Sequence, residues 1–157
     1  MEQDLPGLTA AEWEILRVVW TKKKTTSTEV SDIVGTKMDW KLATIKTLLG
    51  RLVKKGYLST TKQGNRFIYA PLKHEQDCLR NEAKELFSKV CDTKKGSVLR
   101  EWIQEISLTQ AELEKLEKVI ETKKKHAPEY IACQCVPGQC ACHTEKIKGD
   151  GHHEKNN

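Results

Sequence analysis

The order of apolar and polar positions predicts two helices near the start of the chain. Apolar side chains recur there every three or four residues, which is the spacing of one helix face. Each run follows a capping-box sequence, at residues 9–12 and 26–29, in which a threonine and a glutamate three positions apart can satisfy free backbone amides. We expect the first helix to end near Thr21 and the second near Gly35.

A third helix and a β-hairpin follow these two helices. The helix runs from about Trp40 to Lys55, and Gly56 is the glycine expected just after a helix C-terminus. Two β-favouring runs, residues 57–61 and 66–70, flank a glycine turn and predict a hairpin. The apolar residues of the helix share one face: Ile45, Leu48, Leu49, Leu52 and Val53. Three helices followed by a hairpin predict a winged helix-turn-helix DNA-binding domain over residues 1–72.

Three further apolar stripes predict that residues 73–125 are helical, so the fold is mainly α. A third capping-box sequence, at residues 109–112, starts the last of these helices. Three short helices cannot easily cover one another's apolar faces, so we interpret this segment as a dimerisation module. The alternative is that it packs back onto the N-terminal domain. After Lys125 the pattern stops, and residues 126–157 form a tail without a core of its own.

The excess of positive charge is confined to the first half of the chain. Residues 22–66 hold 11 Lys or Arg against 3 Asp or Glu, whereas residues 73–157 hold 15 of each sign. A basic field concentrated in one segment indicates a polyanionic partner, most simply nucleic acid. The alternative is a solvated, lysine-rich surface.

The face of the third helix opposite its apolar stripe supplies the residues to read DNA. Small side chains let a helix approach a groove closely, threonines contact base edges, and arginine binds guanine in a bidentate manner. Two cations beside the hairpin turn can reach phosphates. The candidates for DNA contact are Lys41, Ala43, Thr44, Lys46, Thr47, Arg51, Lys54, Lys62 and Arg66. Simple solvent exposure is the alternative for each of them.

Four of the six cysteines fall within ten residues of the tail, in a C-x-C-x4-C-x-C pattern: Cys133, Cys135, Cys140 and Cys142. Pro137-Gly138 suits the two central positions of a type II turn, which would bring the two C-x-C arms together. Zinc accepts four thiolates, and Cu(I), a soft ion, selects the same ligands. Disulfides or incidental thiols are the alternatives, and a reducing cytoplasm disfavours disulfides.

The remaining cysteines and the tail histidines receive different interpretations. Cys78 and Cys91 lie in the helical module, where we expect buried structural thiols. His143, His152 and His153 are interpreted as tail residues without an assigned role, because soft-metal binding does not require them.

Membrane insertion, secretion and catalysis have no support in the sequence. The apolar runs are too short for a membrane span, and the N-terminus lacks the apolar stretch of a signal peptide, so we expect a cytoplasmic protein. The chain also lacks a glycine loop for phosphate and a recognisable catalytic triad of residues, so we do not expect an enzyme.

Residues 8–16 (LTAAEWEIL) and 44–58 (TIKTLLGRLVKKGYL) resemble the BlaI/MecI penicillinase-repressor family. The added C-x-C-x4-C-x-C tail resembles that of the CopY-type copper repressors. The resemblance covers about residues 5–142, and it implies a homodimer on palindromic operator DNA before copper-export genes. It also implies that the zinc-loaded form represses, and that Cu(I), often handed over by a copper chaperone, displaces zinc and releases DNA.

Two other interpretations of the tail stay open at this point. The tail can act as a metal buffer that never influences DNA binding. Alternatively, the repressor is inactivated by proteolysis, as in the antibiotic-responsive branch of the family that the chain resembles, and the tail is incidental.

Overall fold

The computed structural model describes residues 5–142, and most of its helices begin and end close to the predicted positions. In chain order the elements are α1 (Ala10–Lys22), α2 (Ser27–Val30), a π-helical turn (Ser31–Gly35), α3 (Thr36–Met38), α4 (Leu42–Lys54), β1 (Leu58–Gln63), β2 (Arg66–Pro71), α5 (Glu75–Ser88), a 3-10 turn (Asp92–Lys94), α6 (Lys95–Glu105) and α7 (Gln110–Lys124). The chain folds as two units, the first ending at Lys84 and the second starting at Glu85. The first unit contains the predicted winged helix-turn-helix.

Capping boxes start α1, α2 and α7, as predicted. At α1 the Glu12 amide donates to the Thr9 hydroxyl over 3.2 Å, and the Thr9 amide donates to the Glu12 carboxylate over 3.0 Å. The same reciprocal pair forms at the two later helices. Since each box satisfies amides that have no partner inside the helix, four residues of local sequence suffice to mark these starts.

The second helical segment does not end near Gly35, and that prediction is wrong. The backbone stays helical through α3 and turns only at Asp39, which has a left-handed φ of 53°. Gly35 instead lies where two parts of the chain approach closely. A Cβ at this position would lie 3.3 Å from the carbonyl oxygen of Trp40 and 3.2 Å from the Ser31 hydroxyl.

The core of the first unit forms between α1 and α4. The apolar stripe of α4 is buried as predicted, with Val53 partly buried at its edge. Gly56 then ends the helix with φ 85°, and the Tyr57 amide donates to the Leu52 carbonyl, which is the pattern of a glycine-terminated helix. The side chains with no exposed area are Ile15, Leu16, Val19, Val30, Ile45, Leu49 and Leu52.

The first unit extends beyond the predicted boundary at residue 72. Cys78, in the first turn of α5, is 4% exposed and belongs to the same core. The Trp20 indole nitrogen also donates to the Lys73 carbonyl over 2.9 Å. The unit therefore includes the start of α5, because side chains distant in sequence pack on it.

The hairpin is antiparallel, with Thr60 opposite Tyr69, and Gly64 takes the positive φ of 59° that its two-residue turn requires. Thr25, in the loop after α1, exchanges two backbone hydrogen bonds with Tyr69 over 3.0 and 2.8 Å. This bridge fixes the hairpin, which is the wing, against the helices.

The second unit has helices but little core. Neither α6 nor α7 contains a buried residue, although each carries its predicted apolar stripe. Phe87 and Trp102 make an edge-to-face ring contact with centroids 5.6 Å apart. The exposed apolar side chains of these two helices include Leu99, Trp102, Ile103, Leu113, Val119 and Ile120. Among the described residues, no helix combines the length and the apolar character needed to cross a membrane.

Candidate metal centre and nucleic-acid interface

The two C-x-C arms of the tail are joined by the predicted type II turn. Gly138 has φ 86°, which suits the third position of that turn, and the Gln139 amide donates to the Val136 carbonyl over 3.0 Å. The Gln139 side chain closes the turn a second time, by accepting from the Val136 amide over 3.2 Å. The turn reverses the chain between the two pairs of cysteines and brings them together.

The sulfur atoms of the tail converge, and a fifth cysteine joins them. Cys133 Sγ lies 3.2 Å from Cys140 Sγ and 3.4 Å from Cys91 Sγ. The sulfurs of these three residues and of Cys135 all lie within 4.8 Å of one another. Four sulfurs bonded at ~2.3 Å to a tetrahedral zinc are roughly 3.8 Å apart, so this set fits a thiolate-bound soft metal with small adjustments.

Cys142 lies at the edge of the cluster and outside that mutually close set. Its sulfur is 3.7 Å from Cys91 Sγ and 3.0 Å from the Thr93 hydroxyl oxygen. All four predicted tail thiols therefore come together in one chain, although the set of four nearest to a shared centre includes Cys91 in place of Cys142.

The prediction of buried structural thiols is confirmed for Cys78 and is wrong for Cys91. Cys91 is only partly buried, because it lies after the end of α5 and directly before the 3-10 turn. Its side chain is therefore not part of the helical stripe. The available signal was its position three residues past the last helical residue, where the stripe no longer applies. His143, His152 and His153 lie outside the described residues.

Hydrogen bonds within the cluster lower the pKa of some thiols and raise the pKa of others. The Thr93 hydroxyl and amide, followed by the Cys133 thiol, donate to the Cys91 sulfur and lower the pKa of Cys91 to about 6. Donation from Cys133 likewise lowers the pKa of Cys140. The Cys135 amide acts to lower the pKa of Cys133, but the neighbouring Cys140 and Cys91 sulfurs outweigh it and raise that pKa. Because the thiolate is the metal-binding form, Cys91 is a ready ligand near neutral pH.

The nine residues predicted to contact DNA are all exposed: Lys41, Ala43, Thr44, Lys46, Thr47, Arg51, Lys54, Lys62 and Arg66. Within residues 5–142, none of the six cations in this set forms an ion pair. Other cations of the same unit are neutralised, since Lys37 and Lys55 each lie 2.7 Å from a glutamate oxygen. The predicted surface thus keeps its charge available for an anionic partner.

The outward face of α4 is open around Gly50. A Cβ on this glycine would meet no atom within 4 Å, so packing inside the unit does not require a glycine there. The nearby Thr47 hydroxyl donates to the Ala43 carbonyl over 3.0 Å, which leaves its oxygen free to accept. The open space at Gly50 gives room for a close approach by another molecule.

Comparison with known proteins finds a matching family, similar sequences and similar solved structures. Residues 8–122 match the family model described as penicillinase repressor. An "Uncharacterized 16.5 kDa protein in ptsI 3'region" of Latilactobacillus sakei is 38% identical over 93% of this chain and its own full length. The methicillin resistance regulatory protein MecI of Staphylococcus aureus is 29% identical over 78% of this chain and its own full length. A solved structure titled "CopR Repressor Structure" is 42% identical, covering 44% of this chain and all of that one, with a TM-score of 0.38.

Proposed function

Because this chain belongs to the penicillinase-repressor family of DNA-binding transcriptional repressors, we propose that it is a repressor whose DNA binding is controlled by copper through the thiol cluster. The family match ends at residue 122, so the cysteines of the tail lie beyond the part of the chain that defines the family. The DNA-binding framework is therefore the family's, and we infer that the four tail thiols are the addition through which this chain receives its own signal.

The convergence of five sulfurs is the observation that carries this proposal. The mutually close set consists of thiols alone, and thiolates select soft ions, above all Cu(I) and zinc, over hard oxygen-seeking ions. We propose that these thiolates hold zinc in the DNA-binding form and that Cu(I) competes for the same sulfurs to release the DNA.

The DNA partner is a double-stranded operator bound by a homodimer. Helix-turn-helix repressors commonly read two half-sites related by the twofold axis of a protein dimer. The cations of α4 and the wing that form no ion pair within residues 5–142 support the DNA contact. The exposed apolar faces of α6 and α7 support the dimer. A second chain packed against these faces would shield them from water.

The switch cannot depend on a change in total metal charge if two Cu(I) ions replace one Zn²⁺. Both loads bring the same charge to the thiolates, so the arrangement of the sulfurs must differ between the two forms. Cu(I) and zinc differ in preferred coordination, and this difference would move the segments that carry the sulfurs. Linkage then requires that operator DNA tighten the binding of zinc by the factor by which zinc tightens the binding of DNA.

Fluorescence anisotropy at fixed salt tests the proposal. The probe is a labelled duplex selected from random sequence by the zinc-loaded protein, and Cu(I) is added under anaerobic conditions. We expect Cu(I) to release the duplex from the wild type. A variant with all four tail cysteines changed to serine should bind the same duplex with the affinity of the metal-free protein and should respond to neither zinc nor Cu(I).

Unchanged binding of the wild type in Cu(I) would contradict the proposal and leave two other mechanisms. If the tail then still takes up metal, it is a buffer. If the intact chain is instead cut when repression is relieved in cells, control is by proteolysis. The winged-helix assignment stands in either case, because the core of the first unit carries it.

A further inference from the structure

We propose that Cys91 is a metal ligand, so that the metal centre joins the tail to the start of α6. This inference rests on the proposed function, because it names the ligands through which the same metal acts. The centre would consist of Cys91, Cys133, Cys135 and Cys140, with Cys142 beside it. The C-x-C-x4-C-x-C pattern alone would instead assign all four ligands to the tail.

The positions of the sulfurs favour the set that includes Cys91. Cys91 Sγ lies 3.4 Å from Cys133 Sγ, and it shares with Cys135 and Cys140 the property of lying within 4.8 Å of every other member. Cys142 Sγ contacts Cys91 but is held away from the shared centre, with the Thr93 hydroxyl at 3.0 Å. A single ion at the centre would therefore reach four sulfurs without Cys142.

Cys91 is attached to a well-defined part of the helical module. It precedes the 3-10 turn, and its carbonyl accepts from the Lys94 amide over 2.8 Å. An ion pair between Asp92 and Lys95 ties that turn to the first residue of α6. A metal bound to the Cys91 sulfur is thus connected to α6 through a short, hydrogen-bonded segment.

Within residues 126–142, the sulfur atoms provide the contacts through which metal binding can be transmitted. Ile131 and Val136 are 52% and 65% exposed, so apolar packing contributes little to holding the tail in place. The sulfur contacts with Cys91, together with Thr93, hold the tail against the segment that leads into α6. Helix α6 carries Leu99 and Trp102 on the proposed dimer face. Without Cys91, a metal bound to the tail would no longer be connected to that face, so zinc should no longer raise the affinity for DNA.

The test compares Cys91→Ser with Cys142→Ser in the full-length protein. Zinc affinity is measured anaerobically by competition with a chromophoric chelator, and the ligand-field spectrum of Co²⁺ reports how many thiolates bind. Changing an outer-sphere partner of a metal ligand commonly costs 10–100-fold in affinity, so we expect loss of the ligand Cys91 to cost at least about 100-fold. Cys142→Ser should keep both the wild-type affinity for zinc and the wild-type Co²⁺ spectrum.

A chemical footprint on the wild type gives the same answer without depending on the folding of a variant. Iodoacetamide labelling followed by mass spectrometry compares metal-free and zinc-loaded protein. Zinc should protect Cys91, Cys133, Cys135 and Cys140, and should leave Cys142 reactive. Cys78 serves as an internal reference, since it is buried in the core of the first unit.

The DNA assay completes the test. Zinc at saturating concentration should raise the DNA affinity of the Cys142→Ser variant and should leave that of Cys91→Ser at its metal-free value. Loss of zinc binding in Cys142→Ser, with wild-type binding in Cys91→Ser, would overturn the inference and leave the proposed function intact. Failure of the wild type to bind zinc or Cu(I) at all would overturn both.

Discussion

The two units of the chain use helices of similar length in opposite ways. All fourteen buried apolar residues of residues 5–142 belong to the first unit, and the core that they form is continuous. In the second unit α6 and α7 are fully formed, with apolar stripes, and yet contain no buried residue. Most of the stability of a helix in a protein comes from packing an apolar face rather than from intrinsic propensity. The first unit is therefore complete by itself, whereas the second needs something more to bury its faces.

This difference in burial between the two units indicates which of them can respond to a bound metal. A core packed at native density has a single arrangement, and small changes in it are costly. Helices with few buried contacts belong to the low-stability part of a protein, from which moving elements are drawn. The thiol cluster lies in the second unit, so a bound metal would act on the part of the molecule that is free to respond.

The largest expected effect is a difference in stability between two variants, each of which removes an apolar side chain from one of the two units. Leu49→Ala leaves a cavity in the core and should lower the free energy of unfolding by about 2–5 kcal/mol. Leu99→Ala, where the side chain is half exposed, should cost less than about 1 kcal/mol in dilute protein. Urea unfolding followed by circular dichroism measures both.

Sedimentation equilibrium measures the self-association of the same two variants. Leu99→Ala should weaken self-association, and Leu49→Ala should affect it only through unfolding. Equal stability losses in the two variants at low protein concentration would mean that α6 is packed inside a single chain, and the contrast between the units would be lost.

The next effect concerns a buried charge of the first unit. The Glu12 carboxylate is 1% exposed and accepts from Lys55 over 2.7 Å. Burial acts to raise the pKa of Glu12, but the hydrogen bonds from Lys55 and Thr9 outweigh it, so that pKa lies below its ordinary value of 4.5. Glu12→Gln keeps the shape and the helix cap and removes the charge. It should cost about 1–3 kcal/mol at pH 7.

The pH dependence of this difference follows from linkage. A carboxylate whose pKa is lowered by folding contributes its full stability above the ordinary pKa and loses it as the pH falls through the lowered value. The wild type and Glu12→Gln should therefore converge in stability as the pH falls below about 4.5. A difference that stays constant from pH 7 to pH 3 would show that the charge on Glu12 does not stabilise the fold.

The smallest effect separates DNA contact from stability. Gly50→Ala should stabilise α4 by up to about 1 kcal/mol, because alanine favours a helix and its Cβ meets open space. It should nevertheless weaken DNA binding if the helix approaches the groove closely at this point. Gly96→Ala, at an equally open position in α6, is the matched control and should leave DNA affinity unchanged. Tighter DNA binding by Gly50→Ala would argue against close approach.

Local signals were sufficient to predict much of the fold. The capping boxes at Thr9, Thr26 and Thr109 involve residues three positions apart. The type II turn of the tail needs only a residue that can adopt a positive φ, and Gly138 does so. The apolar stripes likewise follow from the helical period. These features could be predicted because each depends on a few neighbouring residues.

Features that depend on distant contacts were missed. Gly35 is needed because the Trp40 carbonyl approaches it, and the first unit extends past residue 72 because Cys78 joins a core built from other helices. Cys91 is separated from Cys133 by 42 positions, so no spacing rule connects them. The tail cysteines could be predicted as a group, but the fifth thiol could be found only once the chain was folded.

The central claim is that metal completes the second unit, and amide hydrogen exchange tests it most directly. Metal-free and zinc-loaded protein are compared at the same concentration, peptide by peptide. We predict that zinc slows exchange in residues 91–105 and in the tail, and leaves the core amides of α1 and α4 unchanged. Unchanged exchange at residues 91–105 in protein shown to hold zinc would contradict the claim that the metal acts through the second unit.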